Sequence, residues 1–136
     1  MKSALVVCPA LFLLAGCQLP PERQPLRPLP TEVQPLPYAE LLTRTRTLGI
    51  DATAALYVNR WNDVEDIAKD LEQTARFLGK AEDVPARNKD KLADVSADLG
   101  KEAIKLREAA RVKNVDEAND TLARINKKVR ELRLEN

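Results

Sequence analysis

A chain of 136 residues with 22 basic and 21 acidic side chains has almost no net charge. That argues against general nucleic-acid binding, which needs a net basic surface to displace counterions. There is no histidine and the only methionine is Met1, so most soft ligands for copper, zinc, haem or iron–sulfur centres are missing, along with the commonest general base.

The chain opens with Lys2 and an apolar run from Ala4 to Ala15, closed by Leu14-Ala15-Gly16-Cys17. Crossing a bilayer takes about 20 apolar residues, and this run is shorter. The pattern resembles the bacterial lipoprotein signal. The resemblance implies that residues 1–16 are removed, that Cys17 is acylated as the new N-terminus, and that the protein is held in the cell envelope by its lipid. Lys2 is the only charge in 1–16, which leaves 21 basic and 21 acidic residues. Cys8 would depart with the signal and acylation would consume the Cys17 thiol, so the mature chain could form no internal disulfide. Gln18 stands where many such proteins of the inner membrane carry Asp, which favours the outer membrane, facing the periplasm, although the sequence does not fix the face.

Seven of the nine prolines fall between residues 20 and 37: Pro20, Pro21, Pro25, Pro28, Pro30, Pro35 and Pro37. Proline fixes φ and removes a donor, so residues 17–37 read as an extended linker between the lipidated cysteine and a folded domain. At ~3.1 Å per residue the proline-rich part would reach roughly 55 Å. A docking site for a proline-recognising partner is the alternative use of such a segment.

From Tyr38 only Pro85 interrupts a composition of good helix formers, and apolar spacing predicts four helices in 38–136. The first, about 38–59, turns Leu41, Leu48, Ala52, Ala55 and Leu56 inward, with Gly49 a weak point. The second, about 62–79, is striped by Trp61, Val64, Ala68, Leu71, Ala75 and Leu78. The third, about 86–112, carries Leu92, Val95, Leu99, Ala103, Leu106 and Ala110. The fourth, about 115–133, carries Val115, Ala118, Leu122, Ile125, Val129 and Leu132. Short connections make neighbours antiparallel, so the expected fold is an all-α, antiparallel four-helix bundle.

Local chemistry marks the boundaries. Asn62 with Glu65, and Asn114 with Glu117, each resemble a capping box. Gly79 can take the left-handed conformation that ends a helix, and Pro85 suits the start of the next.

Residues 40–134 resemble the cytochrome c-prime family of periplasmic four-helix bundles. The likeness rests on Trp61-Asn62-Asp63-Val64-Glu65-Asp66 opening the second helix. It rests also on Asn114-Val115-Asp116-Glu117-Ala118-Asn119 leading into a last helix with Leu122 and Ile125. The resemblance implies the fold, the periplasmic setting and a homodimer through the first two helices. The family's Cys-x-x-Cys-His haem site is replaced by Lys128-Val129-Arg130-Glu131-Leu132, so none of its functional residues carries over. The implied relative is haem-less, its former cavity filled by side chains such as Leu132.

Three residues invite an interaction role. Trp61, the only tryptophan, sits at a helix junction, where an indole packs in a core or anchors a partner. Tyr57 and Arg60, three apart, would share a helix face as a surface pair. Asp63, Glu65 and Asp66 could suggest a hard-metal site, but carboxylates in a first helical turn are explained by the helix dipole. Arg124, Lys127, Lys128, Arg130 and Arg133 make the last helix basic, either as a solvated face or for contact with anionic lipid or cell-wall polymer. The expectation is therefore a membrane-anchored, non-catalytic bundle without cofactor, in a structural or protein-interaction role. The alternative is a bundle holding a small apolar ligand or non-covalent haem, with Lys128 or a tyrosine as ligand.

Overall fold

The computed structural model describes residues 26–133. The signal motif Leu14, Ala15 and Gly16, the lipidation site Cys17 and the first three prolines of the linker lie outside the described residues. Four helices form: α1 (Tyr38–Tyr57), α2 (Trp61–Leu78), α3 (Ala86–Arg111) and α4 (Val115–Glu131). Every boundary falls within two residues of the one expected from sequence. Among the described residues there is no strand, only an isolated bridge between Pro37 and Glu82.

Each helix packs on two neighbours: α1 on α2 and α4, and α3 on α2 and α4. The cross-links show the directions. Between α2 and α3, Glu65 pairs with Arg111 and Glu72 with Arg107; between α3 and α4, Asp98 pairs with Lys128 and Glu102 with Arg124. In both sets the numbers rise on one helix and fall on the other, so neighbours are antiparallel. Between α1 and α4, the Tyr38 hydroxyl reaches the Leu132 carbonyl while Gly49 lies against Asn126, which gives the same sense.

The inward stripes are buried as expected, with two exceptions. Trp61 is half-buried against the core, and Val115 is 46% exposed. Val115 opens α4 at the end of the bundle, beyond the last layer that neighbouring helices can cover. The core also takes in Tyr38, Leu42 and Phe77, which the stripe pattern did not place inside. Burying each Leu, Ile or Phe contributes about 1.5–3 kcal/mol.

Helix ends depart from the expected chemistry in two places. Helix α2 begins one residue early, with Arg60 at the N-cap and its carbonyl accepting from Val64 N–H at 3.1 Å. Asn62 thus lies inside the first turn and caps nothing. Asn114 does cap α4, accepting from Glu117 N–H at 3.1 Å. The Glu117 carboxylate does not complete a box; it accepts from Thr121 and Arg124 instead.

Gly79 is not left-handed. It ends α2 at φ −65°, ψ −13°, and a Cβ there would meet Ser96 Oγ at 3.0 Å. The glycine accommodates the close approach of α3 at Ser96. Among the described residues the left-handed positions are Asn59 (φ 57°), Asp83 (φ 56°) and Lys113 (φ 54°). Asn59 and Lys113 end α1 and α3 in the same way. Arg60 N–H reaches Ala55 O and Asn59 N–H reaches Leu56 O; Asn114 N–H reaches Ala109 O and Lys113 N–H reaches Ala110 O. These are two Schellman motifs.

The described part of the proline-rich linker, residues 26–37, lies along the bundle. At one end, Glu82 N–H donates to Leu36 O at 2.9 Å and Tyr38 N–H to Glu82 O at 3.0 Å. Further back, Gln73 donates to Pro30 O at 3.4 Å and the Arg44 guanidinium to Arg27 O. Leu29 and Leu36 pack against the core. Read backward from Leu36 to Leu26, the segment climbs α1 from its first turn to Thr47, Leu48 and Asp51, with which Leu26 lines a groove. This strap buries Arg44, whose Nε also donates to Thr74 Oγ1 at 3.2 Å.

Candidate interaction surface

Helix α1 turns its apolar stripe inward, yet its outer face is apolar too. Ile50, Ala54 and Tyr57 recur at helical spacing, and Val58 follows at the C-cap. With Gly49, Thr53 and Asn126 of α4 they line an open groove of ≈ 550 Å³. The Thr53 hydroxyl is engaged with Gly49 O at 2.8 Å, so little of the wall can hydrogen-bond to a visitor. Gly49 allows the approach of α4: a Cβ there would stand 3.3 Å from Asn126 Oδ1.

This stripe leads to the end of the bundle where the α1–α2 and α3–α4 turns lie side by side. Tyr57 is 88% exposed, Val58 56%, Val112 75% and Val115 46%. Large apolar side chains concentrated at one end mark a contact surface more than scattered ones do.

Of the three residues singled out from sequence, Tyr57 belongs to this surface and Trp61 lies half-buried beside it. Arg60 does not share a face with Tyr57. The helix stops at Tyr57, Asn59 reverses the chain, and the Arg60 guanidinium pairs with Asp63. Sequence reasoning missed Ile50, Val58 and Val112 and placed Val115 inside. The readable signal was Ile50 and Tyr57 at i and i+7, off the inner stripe.

The carboxylates at the start of α2 are engaged in ion pairs. Asp63 pairs with Arg60, Glu65 with Arg111 and Lys69, and Asp66 with Lys69, so the acidic start of α2 is no metal cage. Among the described residues no group of three or more His, Cys, Asp or Glu could hold a metal ion. The Arg111 hydrogen bond holds the Glu65 carboxyl below its ordinary value, and Lys128 does the same for Asp98. Burial pushes Glu102 up, but the hydrogen bonds from Arg124 and Lys105 outweigh it and hold the group low. The Asp98 hydrogen bond raises Lys128. On basic α4, Arg124 and Lys128 are thus committed to α3, while Lys127, Arg130 and Arg133 are exposed.

No described helix is long and apolar enough to cross a membrane. No protein-family model, curated protein or solved structure matches the chain.

Proposed function

We propose that the chain is a lipid-anchored envelope protein, fixed through Cys17 after removal of residues 1–16, whose haem-less bundle acts by contact rather than catalysis. In this reading residues 17–37 join anchor and bundle, the outer membrane facing the periplasm is the setting, and the cytochrome c-prime resemblance is one of fold without cofactor. The observation that carries it is the set of large exposed apolar side chains, Tyr57, Val58, Val112 and Val115, gathered at one end of the bundle. A surface of that kind binds through excluded water.

The test is the mass of the N-terminal peptide from protein expressed with its full sequence in a lipoprotein-processing host. The expected result is a peptide beginning at Cys17 and carrying the acyl mass, with Cys17→Ser giving neither the cleavage nor the acyl mass. A wild-type peptide that retains residues 1–16, or one that begins at Cys17 without acyl groups, refutes the reading.

A further inference from the structure

The two ends of the bundle differ in what they expose. At the end formed by the α2–α3 connection, Lys80, Glu82, Asp83 and Arg87 face solvent. At the other, formed by the α1–α2 and α3–α4 turns, the large apolar side chains Tyr57, Val58, Val112 and Val115 stand exposed among the charges of Arg60, Lys113, Asp116 and Glu117. The course of the strap distinguishes them again. Because residues 26–37 run antiparallel to α1, the chain arrives from Cys17 beside Asp51 and Val58, with which Leu26 lines a groove of ≈ 770 Å³. From the level of Asp51 the Tyr57 end is about 10 Å away and the Tyr38 end about 20 Å, at 1.5 Å per helical residue. Eight residues separate Leu26 from Cys17, and the nine steps between them can span at most about 30 Å.

We propose that the end bearing Tyr57, Val58, Val112 and Val115 rests on the lipid surface into which Cys17 is anchored. The proposal depends on the anchoring reading above and names what the apolar end touches. The tether arrives on the side of the Tyr57 end and reaches it directly, whereas the Tyr38 end, also within its span, would require the tether to double back along α1. Tyr suits the interface, with an apolar ring and a hydroxyl that stays among the headgroups. The valines add apolar area to the acyl anchor, and buried apolar area is what strengthens interfacial binding. Lys113, between Val112 and Val115, is exposed and suited to lipid phosphate.

Trp61, the only tryptophan, begins α2 at this same end and reports on it without labelling. The full-length, processed protein is reconstituted in phosphatidylethanolamine–phosphatidylglycerol vesicles, with or without bromine on the acyl chains near the headgroup. Flotation reads anchoring and Trp61 emission reads contact. The expected result is a floated protein that loses most of its emission in brominated vesicles. In a Tyr57→Ser, Val58→Ser variant, still floated and still helical, emission is restored. A protein that does not float overturns the anchoring and the contact together. A floated protein whose emission is the same in both vesicles overturns the contact alone. If that protein also has twice the chain mass in mild detergent, a second copy covers the apolar stripe instead.

Discussion

The Tyr38 hydroxyl donates to the Leu132 carbonyl at 2.5 Å and accepts from Asn88 Nδ2 at 2.9 Å, so one buried oxygen joins the start of α1, the start of α3 and the end of α4. Losing one partner of a buried hydrogen bond leaves the others without it, at about 1–3 kcal/mol. Tyr38→Phe is expected to lower the unfolding free energy by about that amount in urea denaturation. A Tyr38→Phe, Asn88→Ala pair should cost less than the sum of its members, because both act on the same hydrogen bonds. Strict additivity would mean that the hydroxyl and the amide work separately.

Glu102 makes stability depend on acid. A carboxyl held below its unfolded value stabilises the fold above about pH 4.3 and loses that contribution as the pH falls through its folded value. The urea midpoint is therefore expected to be level near neutrality and to drop in the acid range. Glu65 and Asp98, shifted the same way, act in the same direction. Glu102→Gln should lower the midpoint at pH 7 and flatten its acid-side slope. An unchanged slope would show that Arg124 and Lys105 do not hold this carboxylate.

Lys113 adopts φ 54° with a long side chain, whereas Asn59 and Asp83 belong to the residue types that tolerate that region. Lys113→Gly is expected to raise stability by about 0.5–1 kcal/mol, the relief of the Cβ clash less the entropy a glycine adds to the unfolded chain. Thermal unfolding checks it. Asn59→Gly, at the matching position after α1, should gain less.

At Gly79 the expectation reverses. Gly79→Ala brings a Cβ to 3.0 Å from Ser96 Oγ, which is itself bonded to Ala93 O at 3.0 Å. Overpacking of this kind costs about 1–3 kcal/mol. In a Ser96→Ala background the same replacement should become neutral or stabilising, since the clashing oxygen is gone and alanine is the better helix former. Equal costs in both backgrounds would place the strain elsewhere.

The helices were legible because α2, α3 and α4 each bury one regular stripe, from Val64 to Leu78, from Leu92 to Ala110 and from Ala118 to Leu132. Helix α1 was read less well. The strap covers a second flank of it and buries Arg44 there. No local pattern announces that an arginine will be buried when its partner is the carbonyl of Arg27, distant in sequence. Gly79 was assigned the commonest role of glycine, while its neighbour Ser96 lies on another helix. The apolar end was partly visible through Tyr57, but Val58, Val112 and Val115 resemble core residues until the turns place them past the last packed layer.

The strap also gives the molecule a mechanical polarity. Its attachments through Arg27, Pro30 and Leu36 lie in sequence along α1 and α2. A pull on residue 26 directed along α1 toward Tyr57 loads all of them together, in shear, and none can yield without its neighbours. A pull in the opposite direction folds the segment back on itself and peels it, beginning at Arg27 and taking one attachment at a time. The same contacts thus form a strong joint along one line of force and a weak one along the reverse.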